Sequence, residues 1–124
     1  MCISAILNLL KRKPSPENTG IRGRFDMISR MPYDVDTCNC THKTRLFGDY
    51  LLSQDAKDVY IVIVSHESGK YNHTFIEWQG RYFDPTATPP QYNVEIDNYL
   101  ATLQKQGFQG AFKTTYMTGF IFKF

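Results

Sequence analysis

The stretch from His73 to Asp84 constrains the fold more than any other part of the chain. Two segments of β-type sequence, His73–Trp78 and Arg81–Asp84, are separated only by the dipeptide Gln79-Gly80. A two-residue connection that contains glycine is typical of a tight turn between neighbouring antiparallel strands. The sequence therefore predicts a β-hairpin here, and with it a sheet that contains antiparallel pairing.

The hairpin also decides which side chains share a face of the sheet. With a two-residue turn, Phe75 lies opposite Asp84, and directly opposed residues point to the same face. His73 shares that face with Phe75 because side chains alternate along a strand. Asp84 is then the diagonal neighbour of His73, within reach of a side-chain hydrogen bond. A loop of odd length would reverse the faces and separate the two side chains.

Apolar spacing predicts the other elements of the chain. Residues 40–53 carry an apolar stripe at helical spacing, and Asp36, Thr37 and Asn39 are possible N-caps just before it. The further predictions, in chain order, are a short N-terminal amphipathic helix that carries Ala5, Ile6, Leu9 and Leu10, a loop over residues 14–22, a short helix over Phe25–Met31, a buried strand over Val59–Val64, a helix that carries Ile96, Tyr99, Leu100 and Leu103 and stops at Gly107, and a final strand that carries Phe120, Phe122 and Phe124.

The length and charge of the chain limit its class. Its 124 residues suit a single domain, 1–124, with one hydrophobic core. The net charge of +2, from 14 basic and 12 acidic residues, is too balanced to favour a nucleic acid or an anionic membrane as partner.

Cysteine usage and the N-terminal sequence bear on the compartment. Three cysteines, with Cys38 and Cys40 two positions apart, do not make a disulfide framework and favour a reducing setting. The apolar run Ile3–Leu10 lacks the flanks of a signal peptide and is too short to span a bilayer. We therefore expect a cytoplasmic protein.

Cys40, His73 and Asp84 together carry the groups that attack a carbonyl without a cofactor. Cys40 opens the predicted helix over residues 40–53, where the helix dipole favours a thiolate, and a nearby protonated His73 would favour it further. Asp84 would hold the imidazole in one tautomer. Alone, the cysteine is most simply a buried apolar residue and the histidine a strand residue bonded to backbone. In combination they predict cysteine-dependent acyl transfer.

Three motifs in this order resemble those of the transglutaminase-like superfamily, which shares a core with papain-like proteins. The resemblance covers residues 36–86. Cys40–Thr44, with the leucines that follow, is similar to the family's nucleophile helix. His73–Glu77 is similar to its histidine strand, and Arg81–Thr86 is similar to the Asp-Pro-Thr ending of its adjacent strand. Two positions differ from the family pattern: Cys38 replaces a glycine, and Phe75 replaces a tryptophan.

The resemblance implies a fold and a set of roles. The fold is α+β, with the helix that bears the nucleophile packed on an antiparallel sheet. Cys40 is the nucleophile, His73 the general base and acid, and Asp84 the orienting carboxylate. No metal or organic cofactor is implied. A domain this small leaves little room for a dry amine site, so hydrolysis of an amide in a protein or peptide is expected over cross-linking.

The remaining site candidates surround this triad. The backbone N–H of Cys40 and the side chain of Asn39 are candidate oxyanion donors. Glu77 and Trp78 are expected to serve the structure or to line the substrate groove. The groove is expected to be shallow or completed by a partner. A rigid turn that contains Pro85, Thr86, Pro89 and Pro90 is expected to hold the orienting carboxylate.

Three alternatives remain open on the sequence alone. One is a zinc site made of Cys38, Cys40 and His42 with His66 or His73, although Cys-x-Cys-x-His is an uncommon zinc spacing. A second is an N-terminal nucleophile at Cys2 after removal of Met1, although no glycine-rich catalytic loop follows it. A third is a binding module of the same fold without catalytic activity.

Overall fold

The computed structural model describes residues 14–34, 36 and 39–118, which form three helices and a five-stranded antiparallel sheet. The strand order is β4-β3-β2-β1-β5, and every neighbouring pair is antiparallel. The elements are α1 (Thr19–Ser29), α2 (Cys40–Ser53), β1 (Tyr60–His66), β2 (Asn72–Trp78), β3 (Arg81–Asp84), β4 (Gln91–Glu95), α3 (Ile96–Lys105) and β5 (Phe108–Thr115).

The predicted α+β class and the antiparallel sheet are confirmed. The helix expected over residues 40–53 is α2, the strand expected over Val59–Val64 is β1, and α3 ends two residues before Gly107, whose φ of 91° suits glycine. The N-terminal helix expected to carry Ala5, Ile6, Leu9 and Leu10 and the strand expected around Phe120–Phe124 lie outside the described residues. Within the described ranges, none of the helices has the length and apolar character that a bilayer crossing requires.

The β2–β3 hairpin has the predicted turn and register. Gln79 and Gly80 have φ values of 53° and 70°, both in the left-handed region that a type I′ turn demands. The strands pair Trp78 with Arg81, Glu77 with Tyr82 and Ile76 with Phe83. The faces of the sheet therefore follow the pattern that the two-residue connection predicted.

The sheet is covered on both faces, because its alternate side chains belong to two separate clusters. One cluster joins Ile61, Ile76 and Phe83 of the sheet to Phe25 of α1 and Phe47 of α2. The other joins Val62, Phe75 and Tyr82 to Tyr99 and Leu103 of α3. Burial of these apolar side chains places α1 and α2 on one face and α3 on the other.

Helix α1 begins earlier than the sequence predicted. The loop expected over residues 14–22 is wrong for its last four residues, and the short helix expected over Phe25–Met31 starts instead at Thr19 and ends at Ser29. The Asn18 side chain caps the helix by accepting from the Gly20 N–H at 2.8 Å. Tertiary packing of one buried stripe on this helix outweighs the low helix propensity of its two glycines, Gly20 and Gly23.

Strands β4 and β5 had no counterpart in the sequence prediction. They are the two edge strands, and most residues of both are exposed or half-buried. An edge strand that buries neither face fully lacks the alternating apolar pattern by which strands are identified.

A buried hydrogen bond joins α2 to β2. Thr44 Oγ1 donates to the Thr74 carbonyl at 3.1 Å, and the two residues are 0% and 1% exposed. Trp78 and Arg81 are the hydrogen-bonded pair that flanks the tight turn. Because backbone groups alternate between the two sides of a strand, Ile76 and Thr74 also direct their N–H and C=O groups toward β3. Strand β3 ends at Asp84 and leaves that side of Thr74 open. The first turns of α2 lie on this open side of Thr74.

We expect Thr44→Val to destabilise the protein by about 1–3 kcal/mol, because the Thr74 carbonyl would remain buried without a donor. Thr102→Val is the matched control, since Thr102 Oγ1 also donates to a backbone carbonyl, that of Asn98 at 3.1 Å, but on the exposed surface of α3. We expect the control to change stability by less than about 0.5 kcal/mol. Urea unfolding measures both, and equal effects would contradict the prediction.

Candidate active site

Cys40 is the first residue of α2, and its position is set by a capping box. The Asn39 side chain accepts from the N–H groups of Thr41 and His42 at 3.0 and 3.2 Å. In return, the Asn39 N–H donates to Nδ1 of His42 at 3.2 Å. Asn39 Oδ1 is thus engaged with the helix, and Cys40 lies at the positive end of the helix dipole.

The N–H groups in the first turn of α2 differ in whether a described residue accepts from them. The Thr41 and His42 N–H groups bind the cap side chain, and the Lys43 N–H binds the Asn39 carbonyl at 3.0 Å. The Cys40 N–H has no acceptor among the described residues. A backbone N–H beside a nucleophilic thiol is a suitable donor for an oxyanion.

His73 and Asp84 form the hydrogen bond that the hairpin register predicted. His73 Nε2 lies 2.5 Å from Asp84 Oδ2, and the side chains are 16% and 0% exposed respectively. The other carboxylate oxygen, Oδ1, accepts from the Thr86 N–H at 3.1 Å. The turn after β3 therefore holds Asp84 as expected.

Tyr99 is a further member of this network that the sequence prediction missed. Its hydroxyl donates to Asp84 Oδ2 at 2.5 Å. Burial and the negative charge of Asp84 raise the pKa of Tyr99, so the hydroxyl stays protonated and remains a donor. The sequence placed Tyr99 only in an apolar stripe. The one available signal was that a buried tyrosine needs a partner for its hydroxyl.

The thiol of Cys40 and the imidazole of His73 interact electrostatically, and each shifts the pKa of the other. Burial raises the pKa of Cys40. The hydrogen bond and positive charge of His73, together with the Thr74 N–H, lower that pKa by a larger amount in sum, so the net shift is downward. Because His73 Nε2 binds Asp84, Nδ1 is the ring nitrogen left for the thiol. This arrangement favours the thiolate.

The imidazole is correspondingly held in its charged form. Burial lowers the pKa of His73, but the charge and hydrogen bond of Asp84, with a smaller contribution from Cys40, raise it to about 10. The contribution of the imidazolium to the free energy of unfolding is therefore complete at pH values below the ordinary histidine pKa. It is lost as pH rises through about 10. Thiolate and imidazolium coexist between the lowered pKa of Cys40 and that upper limit.

Glu77 and Trp78 lie away from the imidazole of His73. They follow His73 by four and five residues along β2, which places them about 13–17 Å from it at the usual rise of a strand. Glu77 accepts from Lys113 Nζ at 2.7 Å, and Trp78 is 1% exposed in the cluster between the sheet and helices α1 and α2. Their surroundings favour the structural one of their two expected roles.

The alternative site residues are only partly described. Cys2 and Cys38 lie outside the described residues, so the zinc set and the N-terminal nucleophile remain predictions. His66 contacts Ser68 and the Gln106 carbonyl through its two ring nitrogens. Across residues 14–34, 36 and 39–118, no three His, Cys, Asp or Glu side chains are grouped as a metal site requires.

Comparisons of the chain with protein-family models, with curated protein sequences and with solved structures gave no match.

We expect Cys40 to be alkylated by limiting iodoacetamide faster than Cys2 and Cys38 at mildly acidic pH, because its pKa is lowered. His73→Ala removes the group that lowers this pKa, so the reaction of Cys40 should shift to higher pH. His66→Ala is the control, since His66 does not contact Cys40. Mass spectrometry of each cysteine across a pH series measures the rates. Preferential alkylation of another cysteine would overturn the assignment.

We expect Tyr99→Phe to destabilise the protein by about 1.5–3 kcal/mol, since the buried Asp84 carboxylate would lose one donor while the ring stays in place. Tyr82→Phe is the matched control. Tyr82 lies 4% exposed in the same cluster, and its hydroxyl has no hydrogen-bond partner among the described residues. Urea unfolding of the two variants side by side gives the comparison, and a loss as large in Tyr82→Phe would remove the role of the Tyr99 hydroxyl.

Proposed function

We propose that this protein is an enzyme of cysteine-dependent acyl transfer that hydrolyses an amide bond in a protein or peptide through a thioester at Cys40. The observation that carries the proposal is the hydrogen bond between the imidazole of His73 and the buried carboxylate of Asp84, together with a Cys40 thiol whose pKa His73 lowers. These are the three groups, in the required order, of a nucleophile, a proton carrier and an orienting acid.

Each step of the proposed reaction has a residue to perform it. The Cys40 thiolate attacks the amide carbonyl and forms a C–S bond. The intermediate collapses as the C–N bond breaks, and His73 gives its proton to the leaving amine. Water then attacks the thioester and gives a proton to the neutral His73, the C–S bond breaks, and a carboxylic acid leaves. The thiolate and imidazolium are restored.

The charge that develops during the attack needs a donor close to the nucleophile. The N–H of Cys40, which has no acceptor among the described residues, is the donor we assign to this role. Asn39 supports it indirectly, because its side chain binds the next two N–H groups and fixes the first turn of α2. Asp84 keeps the imidazole from rotating, and the Thr86 N–H and Tyr99 hydroxyl hold Asp84.

The finer fold assignment belongs to the same proposal. A helix that begins at the nucleophile and packs on an antiparallel sheet that carries the histidine and aspartate is the arrangement of transglutaminase-like and papain-like domains. We propose that this chain is such a domain, that it acts in the cytoplasm without a cofactor, and that a partner or the substrate itself completes a shallow groove. Cross-linking, a non-catalytic binding role and zinc binding are the alternatives that experiment must exclude.

We expect peptides that contain glutamine or an isopeptide bond to release acid or amine through a thioester on Cys40. His73→Ala should abolish turnover, and Asp84→Asn should fold but lose about 10²–10⁴-fold in rate through loss of imidazole orientation. Asp97→Asn is the control, because Asp97 is an exposed carboxylate in the first turn of α3. Mass spectrometry of trapped enzyme and of products measures the reaction.

Three other results would each support an alternative. Incorporation of an added primary amine at low concentration, with little acid released, indicates cross-linking. Stoichiometric zinc that is lost in Cys38→Ser together with stability indicates the metal site. An unreactive Cys40 in folded protein indicates a binding module.

A further inference from the structure

A cavity of about 420 Å³ adjoins the proposed site on the α3 side of the sheet. The loop after β3 forms one wall, helix α3 forms another, and Phe108 at the start of β5 borders it. His73 is part of the wall, whereas Cys40 is not. The imidazole thus belongs both to the nucleophile pair and to this cavity.

The wall of the cavity is neutral apart from His73. Its polar side chains are hydroxyls and amides, from Thr88, Gln91, Thr102 and Gln106 among others, and Leu103 adds apolar surface. No lysine, arginine, aspartate or glutamate is among the described residues that line it. Because Asp84 already pairs with the imidazole of His73, a charged side chain of a ligand would be desolvated there without an unpaired opposite charge, which is costly.

The size of the cavity limits what it can hold. The volume lies near the lower end of the usual range for binding pockets, about 300–1,000 Å³. This suits one residue better than an extended segment.

We infer that this cavity binds the residue on the amine side of the scissile amide, and that this residue is uncharged. The inference rests on the proposed function, in which His73 must reach the leaving amine. The same pocket receives an amine that attacks the thioester, because bond formation retraces bond cleavage. In that reverse step the amine nitrogen bonds to the acyl carbon, the C–S bond breaks, and His73 takes the proton.

The test uses this reverse step, so it needs no natural substrate. p-Nitrophenyl acetate transfers its acetyl group to Cys40 and releases p-nitrophenolate. Leucinamide, glutaminamide, lysinamide or aspartic acid α-amide is then present as acceptor at about pH 8.5, where a free α-amine is mostly neutral. Mass spectrometry gives the ratio of N-acetylated amide to free acetate from the same acyl-enzyme. We expect the two neutral amides to exceed the two charged ones by at least about tenfold.

Cavity-filling variants locate the effect. Thr102→Trp should lower the ratio for leucinamide by at least about tenfold, since an indole occupies the space of the acceptor. Gln106→Trp fills the same cavity from another exposed position and serves if the first variant does not fold. Ala101→Trp is the matched control, because Ala101 is exposed on α3 and does not line the cavity.

The outcomes separate the two proposals. Equal use of charged and neutral amides, or the same ratio in Thr102→Trp and Ala101→Trp, would overturn the cavity assignment while acetylated Cys40 upholds the proposed function. If folded wild-type protein forms no acetyl-Cys40, the proposed function is wrong, and the cavity assignment that rests on it is wrong as well.

Discussion

The carboxylate of Asp84 lies wholly inside the protein, and three donors from three segments meet it there. These are the imidazole of His73 on β2, the hydroxyl of Tyr99 on α3 and the N–H of Thr86 in the turn after β3. A buried charge without such partners is strongly destabilising, so these segments must come together if Asp84 is to be buried at all. The geometry of the site and the packing of α3 on the sheet therefore depend on the same contacts.

The thiol reaches this network because of where β3 ends. Thr74 pairs with β1 on one side, whereas its N–H and C=O face the other side, where β3 has ended and no described strand lies. The Thr74 carbonyl accepts from the Thr44 hydroxyl, and the Thr74 N–H interacts with the Cys40 thiol. Cys40 and Thr44 are one helical turn apart on α2. The end of β3 would otherwise leave these two buried backbone groups of Thr74 unpaired, and their pairing with α2 holds the nucleophile beside the imidazole.

The electrostatics of the pair follow from the same contacts. Burial opposes charge on both the thiol and the imidazole, yet each stabilises the charge of the other, and Asp84 adds to the effect on His73. The result is a thiolate ready for attack and an imidazolium ready to donate, without a metal ion in the proposed reaction. The neutral cavity beside His73 would then determine which amine leaves or enters.

The sequence by itself determined the local features. Helical spacing located α2 to the residue, and the Gln79-Gly80 turn fixed the register that brings His73 to Asp84, because turn length and side-chain alternation are short-range properties. Tertiary structure alone decided the partner of the Tyr99 hydroxyl, the pairing of edge strands β4 and β5, and the cavity beside His73. Each depends on segments distant in sequence, and a hydroxyl in an apolar stripe carries no record of the carboxylate that folding brings to it.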